Sequence, residues 1–212
     1  MNVAVIGLGN IGSALAKNLA AGGQKVIVAD KTLAKAEMLA GELRGNTEAA
    51  PVADAVSRAD VVILAIHFDA IKQFIADHRG ALAGKIVVDP SNPIAPDGKG
   101  GFKKIIPAAE SSGQIIAALL PKGAKFVKAF GTLGAQSLAS GANRLPERAT
   151  LFYATDDPEA GEVVAKLIAA SGYAPVSVGG VDKSLRIEVG GDLHEFGKLG
   201  RLVSAKEAES LV

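Results

Sequence analysis

The chain of 212 residues carries a formal net charge of +1 and contains no block of like charges, so neither nucleic acid nor a membrane surface is an expected partner. Hydrophobic residues make up 49% of the sequence, enough for a sizeable core, and the absence of cysteine excludes disulfides, thiolate catalysis and cysteine-ligated metals. The sequence starts without the basic region of a signal peptide, and no apolar run is long enough to cross a bilayer. We therefore expect a cytoplasmic protein.

A glycine-rich motif follows the first predicted strand. Residues 3–6 form a continuous and mostly β-branched apolar run, which is typical of a strand buried on both faces. The three glycines that follow, Gly7, Gly9 and Gly12, have the spacing that allows a tight turn, a close approach of the backbone to a pyrophosphate, and close helix–sheet packing. Asp30 lies about 20 residues further on, as in dinucleotide sites. The predicted coenzyme-binding loop consists of Gly7, Leu8, Gly9, Asn10, Ile11 and Gly12.

Predicted strands and helices alternate along the rest of the chain. We predict further strands at 24–29, 47–50, 59–66, 85–89, 125–130, 150–154 and 175–178. We predict helices at 32–43, 52–58, 69–79, 113–120, 158–170, 181–199 and 204–211. A long loop is predicted at 90–109, and a glycine-rich loop is predicted at 131–145.

This alternation predicts an α/β fold with a single doubly wound, mostly parallel, Rossmann-like sheet and a short C-terminal helical segment. No linker divides the chain, so we expect a single domain over residues 1–212. Within it, residues 1–90 form the dinucleotide-binding half, residues 91–180 a second alternating half, and residues 181–212 the C-terminal helices.

Residues at the end of the second predicted strand leave the choice of coenzyme open. The Asp30 carboxylate is placed to accept hydrogen bonds from ribose hydroxyls, which favours NAD. Lys31 and Lys35 are close enough to bind the 2′-phosphate of NADP, and Thr32 offers a further donor. Both coenzymes therefore fit this part of the sequence.

No pattern predicts a dedicated catalytic side chain or a metal site. Ile66 and His67 follow the fourth predicted strand, and we interpret them as coenzyme contacts rather than as an acid or base. Asp192, His194 and Glu195 crowd three ligand types into four positions without a second histidine, which is not metal-site spacing. We therefore predict neither a catalytic acid–base residue nor a bound metal.

Several segments together resemble the deazaflavin-dependent NADP oxidoreductases. Besides the glycine motif, they comprise residues 85–93 (KIVVDPSNP), residues 111–121, residues 126–135 (FVKAFGTLGA), Arg186 and residues 192–200 (DLHEFGKLG). The resemblance covers nearly the whole chain, and the later segments in this order are more specific than the glycine motif.

This resemblance implies a Rossmann-like domain, usually dimeric, that passes hydride between NADP(H) and 8-hydroxy-5-deazaflavin; in homologous domains the acceptor is a flavin. It therefore implies a small-molecule acceptor and a second copy of the chain as partners. It also implies that Ser91, Asn92, Thr132 and Leu133 shape the pocket for nicotinamide and acceptor, and that Leu199 closes it.

Two other functions remain compatible with the sequence. A dinucleotide-binding sensor or regulatory subunit would use the same glycine loop without turnover. An imine or hydroxyacid reductase would share the N-terminal dinucleotide fold.

Overall fold

The computed structural model describes all 212 residues, and most of its strands coincide with apolar runs in the sequence. The ten strands are β1 (Asn2–Ile6), β2 (Lys25–Ala29), β3 (Thr47–Ala49), β4 (Val61–Leu64), β5 (Ile86–Asp89), β6 (Ile94–Pro96), β7 (Phe102–Lys104), β8 (Lys125–Ala129), β9 (Thr150–Ala154) and β10 (Ala174–Ser177). β4 consists only of Val, Ile and Leu and is fully buried, because branched apolar side chains suit a sheet that is covered on both faces.

Ten helices cover and extend this sheet, and three of them begin at a side-chain cap. They are α1 (Asn10–Ala21), α2 (Leu33–Leu43), α3 (Val52–Arg58), α4 (Phe68–Asp77), α5 (Arg79–Leu82), α6 (Ser112–Leu119), α7 (Ala135–Ser140), α8 (Pro158–Ala170), α9 (Ser184–Ile187) and α10 (Ala205–Glu209). Ser111, Asp157 and Ser204 accept hydrogen bonds from the first turns of α6, α8 and α10, which satisfies N–H groups that the helices leave unpaired. None of the helices combines the length and apolar character needed to cross a membrane.

Eight strands form one sheet in the order β10-β9-β8-β5-β4-β1-β2-β3. The chain moves from β1 towards β3 on one side and then returns to β4 on the other, so the strand order reverses between β1 and β4. All neighbouring pairs are parallel except β8 and β9, which makes β9 and β10 run against the other six strands. The predicted α/β fold with one mostly parallel, doubly wound sheet is thereby confirmed.

The core lies in two layers, one on each face of the sheet. Val3 and Val5 of β1 belong to the apolar cluster under α1 and α8, whereas Ala4 and Ile6 belong to the cluster under α3, α4 and α6. This division follows from the alternation of side chains along a strand. A smaller third cluster lies between β9, β10 and the C-terminal segment.

Two predicted loops contain regular structure. The segment 90–109 contains the antiparallel hairpin β6–β7, which is separate from the main sheet. Its tip is held by Asp97 Oδ1, which accepts hydrogen bonds from the N–H groups of Lys99 and Gly101 at 2.7 and 2.9 Å. The segment 131–145 contains the short helix α7. Neither element has an apolar period long enough to be recognised in the sequence.

The predicted C-terminal helix 181–199 is wrong beyond Ile187. A 3₁₀ turn at Val181–Lys183 and helix α9 account for the first part, and turns follow from Glu188 onwards. Gly190 adopts a left-handed φ of +87°, which a continuing helix cannot contain. Of the apolar residues at helical spacing in this segment, Leu193 is buried in the turn structure, whereas Phe196 is exposed.

Candidate active site

Four loops meet at the carboxyl edge of the sheet, where the strand order reverses. They follow β1, β4, β5 and β8, which are neighbours in reverse order along the sheet. Adjacent strands lie roughly 4.8 Å apart, so the loops after β1 and β8 are about 14 Å apart along this edge. Ligands of doubly wound sheets bind in this crevice, and an extended dinucleotide needs such a row of loops.

The glycine loop after β1 is shaped by close backbone contacts. Gly7 has a φ of +88°, and a Cβ there would lie 2.6 Å from the carbonyl oxygen of Ala65. A Cβ on Gly12 would lie 1.9 Å from the carbonyl oxygen of Gly7. By contrast, no atom lies within 4 Å of a Cβ placed on Gly9, which is the N-cap of α1 and provides no side-chain cap. The open side of this loop therefore faces outward beside unpaired N–H groups of the helix, as a phosphate site requires.

Asp30 supports the glycine loop from the end of β2. Its Oδ2 accepts a hydrogen bond from the N–H of Leu8 at 2.8 Å, and its Oδ1 accepts one from the N–H of Thr32 at 3.1 Å. Lys35 Nζ lies 3.6 Å from Oδ2. Partial burial raises the pKa of Asp30, but these N–H groups and Lys35 outweigh burial and lower it. The carboxylate is thus ionised and already bonded within the protein.

The other predicted coenzyme contacts lie around this loop. Ile66 reaches it directly, because its Cγ2 would lie 2.6 Å from a Cβ on Gly7. His67 is exposed and precedes the first residue of α4, with no side-chain capping bond. Lys31 is exposed at the start of the α2 turn, next to Thr32.

The loops after β5 and β8 are joined at Asn92 and Gly131. Asn92 Nδ2 donates to the carbonyl oxygen of Gly131 at 3.0 Å, and Asn92 Oδ1 accepts from the N–H of Val189 at 2.7 Å. A Cβ on Gly131 would lie 2.7 Å from the carbonyl oxygen of Pro90, so only glycine fits this approach. Three separate parts of the sequence meet here.

The predicted pocket residues differ in what they offer to a ligand. The hydroxyl oxygens of Ser91 and Thr132 are buried and have no hydrogen-bond partner within the chain. Buried polar atoms are normally paired, so these two hydroxyls are exceptions within the predicted pocket, and a bound group that reached them would satisfy them. Leu133 is only 5% exposed and belongs to the core cluster on the α1 face. Leu199 is half-buried and packs against the third core cluster.

A buried ion cluster, which sequence reasoning missed, lies behind these loops. Lys128 Nζ lies 2.5 Å from Asp89 Oδ2, 2.5 Å from the carbonyl oxygen of Ser91 and 3.1 Å from Ser112 Oγ. Glu188 accepts hydrogen bonds from Ser111 Oγ and from the N–H groups of Ser112 and Gly113. Lys128, Asp89 and Glu188 are at most 1% exposed.

This cluster ties β5, β8 and the start of α6 to the C-terminal segment. Burial raises the pKa of Glu188, but Lys128 and the three hydrogen bonds at α6 lower it further than burial raises it. The helix N-terminus of α6 is therefore neutralised by a carboxylate of the chain itself. The one indication of this cluster in the sequence is Lys128 itself, a lysine between the apolar residues of the predicted strand (FVKAF, residues 126–130).

A second set of hydrogen bonds attaches residues 192–196 of the C-terminal segment to the loop after β8. His194 is 1% exposed, and its Nε2 lies 2.9 Å from the carbonyl oxygen of Gly131. Its Nδ1 accepts a hydrogen bond from the N–H of Phe196, which assigns the proton to Nε2. Glu195 accepts hydrogen bonds from the N–H of Gly134 and from Ser137 Oγ. Asp192 pairs with Arg186 instead, so the three residues do not converge on one point.

The stability of the protein is expected to fall as the pH decreases from about 6.5, because His194 is buried as a neutral ring. Burial lowers the pKa of His194 from 6.5 to about 4. In this range the unfolded chain binds a proton that the folded chain excludes, so unfolding becomes easier as pH falls. The loss between pH 7.5 and 5 is about 2 kcal/mol.

Urea unfolding at these two pH values measures this loss. The His194→Asn variant provides the comparison, since it lacks the titrating group and should show a much smaller change. Carboxyl groups whose pKa is lowered in the folded protein, such as Glu188, lose their contribution to stability only below their unfolded pKa of 4.5. They therefore add little to the change between pH 7.5 and 5. Equal losses in both proteins would contradict the assignment to His194.

Comparisons with known proteins agree with this geometry. Residues 2–93 match the family model of coenzyme F420-dependent NADP oxidoreductases. The chain is 30% identical over 199 residues to an F420-dependent NADP reductase of Methanothermobacter thermautotrophicus, covering 89% of this chain and 85% of that protein.

Two solved structures extend the likeness to the fold. A hypothetical protein of Sinorhizobium meliloti superimposes with a TM-score of 0.84 at 32% identity, over 96% of this chain and 95% of that one. A candidate F420-dependent NADP reductase of Arthrobacter sp. FB24 gives a TM-score of 0.73 at 24% identity, over 86% of each chain. Since the Methanothermobacter relative reaches 30% identity over most of both chains, the protein is an oxidoreductase that belongs to the family of F420-dependent NADP oxidoreductases.

Proposed function

We propose that the protein transfers hydride between NADP(H) and a deazaflavin or flavin-like acceptor that it binds at the carboxyl edge of the sheet. The observation that carries this proposal is the row of four loops, with an open phosphate site after β1 and unpaired hydroxyls on Ser91 and Thr132 at the other end. A dinucleotide extended along this row places its nicotinamide near those hydroxyls. The Methanothermobacter relative, which is named as an F420-dependent NADP reductase, supports the same assignment.

The surroundings of Asp30 favour NADP over NAD. Both carboxylate oxygens are bonded to backbone N–H groups, and Lys35 faces one of them. The negative charge is therefore balanced within the protein, and the oxygens are less available to ribose hydroxyls. Lys31 is exposed beside them, and Lys35 is half-exposed. These cations suit a 2′-phosphate.

The proposed mechanism uses no dedicated acid or base. When both ligands are bound, hydride would leave C4 of the reduced nicotinamide and join a ring carbon of the acceptor, and a proton from solvent would complete the reduction of the acceptor as the nicotinamide is oxidised. The chain contributes position, because its loops would hold the rings about 3–3.5 Å apart and exclude water. The titratable side chains around these loops are already bonded within the chain: His194 is neutral and bonded to Gly131, and Glu195 is bonded to Gly134. Asp89 and Lys128, which contact Ser91, are paired with each other.

An anaerobic assay of the purified protein with NADPH and an 8-hydroxy-5-deazaflavin tests the proposal. We expect stoichiometric NADPH oxidation and deazaflavin reduction, faster with NADPH than with NADH, and slower reduction of FMN. Firm dinucleotide binding without reduction of either acceptor would favour a sensor instead. Faster turnover with NADH would overturn the coenzyme assignment. Dimer formation stays a prediction of the family resemblance, and a cytoplasmic location stays a prediction from the sequence.

A further inference from the structure

Phe196 presents an exposed aromatic ring beside the loop that follows β8. The residue is 65% exposed. Its ring lies directly over Gly134, since a Cβ on that glycine would approach Phe196 Cζ to 2.6 Å. The loop beneath it also contains Thr132, whose carbonyl oxygen accepts a hydrogen bond from the N–H of Glu195 at 3.0 Å. The ring therefore lies at the border of the proposed acceptor pocket.

Hydrogen bonds fix the backbone that carries this ring. The N–H of Phe196 donates to His194 Nδ1 at 2.8 Å, and that histidine is bonded to Gly131 through Nε2. On the preceding residue, the Glu195 carboxylate accepts from the N–H of Gly134 at 2.6 Å. Two polar side chains, one buried and one half-buried, thus hold the main chain at Phe196 and at the residue before it.

An exposed phenylalanine contributes little to folding. Full burial of such a side chain stabilises a protein by about 1.5–3 kcal/mol. Phe196 provides only a small part of this stabilisation, because its side chain is mostly exposed. An aromatic ring on a fixed backbone offers a planar ligand a stacking surface at low entropic cost.

We propose that Phe196 stacks against the ring system of the acceptor and makes the site selective for planar, fused-ring acceptors. This inference rests on the proposed function. Leu199, which the family resemblance places at this position, packs largely into the third core cluster. In the structure it is Phe196 that lies on the loop between Gly131 and Gly134.

Binding of the acceptor tests this inference separately from turnover. The probes are an oxidised 8-hydroxy-5-deazaflavin and FMN, titrated against the NADP⁺-loaded protein with the ligand's own fluorescence as the signal. The chain contains no tryptophan that would interfere. Phe196→Leu is expected to raise the Kd of both probes by up to about tenfold, whereas Phe196→Tyr should retain binding. The affinity for NADP⁺, measured by calorimetry, should not change.

Phe102→Leu provides the matched control, because Phe102 is 70% exposed on β7 and undergoes the same chemical change. An unchanged Kd in Phe196→Leu, or an equal loss in Phe102→Leu, overturns the inference. If the wild-type protein binds the probes in a Phe196-dependent way but never reduces them, the stacking role holds and the proposed function fails. If the wild-type protein binds neither probe, both fail.

Discussion

Replacing Gly9 by alanine is expected to weaken NADP⁺ binding by roughly 10- to 100-fold without lowering the stability of the protein. The new Cβ would meet no atom of the chain within 4 Å, and the backbone at Gly9 has a φ of −68°, which alanine adopts readily. The same Cβ would stand where the pyrophosphate must approach. The loss of one charge-assisted hydrogen bond, about 1.5–3 kcal/mol, corresponds to that change in Kd.

The Gly12→Ala variant is the comparison, because it is expected to lose stability as well as coenzyme binding. Its Cβ would lie 1.9 Å from the carbonyl oxygen of Gly7, so helix α1 must shift away from the sheet. Overpacking of this kind costs roughly 1–3 kcal/mol of stability, and coenzyme binding should fall as well. Calorimetric titration with NADP⁺ and urea unfolding of the two variants separate these effects. Full NADP⁺ affinity in Gly9→Ala would contradict the position of the pyrophosphate.

Replacing Lys128 by methionine is expected to produce the largest loss of stability, about 3–5 kcal/mol, because it leaves two buried carboxylates without their cation. Asp89 would lose a partner at 2.5 Å, and the Glu188 carboxylate would lose the charge that offsets its burial. Since Glu188 connects α6 to the C-terminal segment, detachment of residues 188–199 should accompany this loss.

Lys125→Met on the same strand is the control. Lys125 forms ion pairs with Asp157 and Glu159 but is one-third exposed, so its removal should cost less than about 1 kcal/mol. Urea unfolding of both variants gives the two values, and hydrogen exchange of residues 188–199 follows the detachment. Similar losses in the two variants would show that the buried cluster contributes no more than a surface ion pair.

The sequence allowed the fold to be predicted wherever local patterns decide the structure. The apolar runs of the parallel strands and the bounds of α3 and α8 are local signals, and the structure agrees with them. The segment after Ile187 could not be predicted, because its conformation depends on bonds from Glu188 to α6 and from His194 to Gly131. Apolar spacing alone cannot distinguish such a turn structure from a helix.

In the candidate site too, local features could be predicted from the sequence and long-range contacts could not. The glycine motif could be recognised because its spacing, between a strand and a helix, is a local feature, whereas the approach of Gly7 to Ala65 is not visible in the sequence. The pairing of Lys128 with Asp89 joins residues 39 positions apart, and the meeting of Asn92, Gly131 and Val189 joins three distant segments. Such contacts arise from strand order, which the sequence does not display. The role of Asp30 as a brace for Leu8, beyond its expected position near the ribose, also required the three-dimensional arrangement.

The most direct test of the account follows the hydride itself. NADPH that carries deuterium stereospecifically at C4 of the nicotinamide is incubated anaerobically with the protein and an oxidised 8-hydroxy-5-deazaflavin, and the products are analysed by mass spectrometry. Direct transfer between two stacked rings predicts that one of the two labelled forms delivers its deuterium to a ring carbon of the reduced deazaflavin. Release of the label to solvent, or tight binding of NADPH without any transfer, would contradict it.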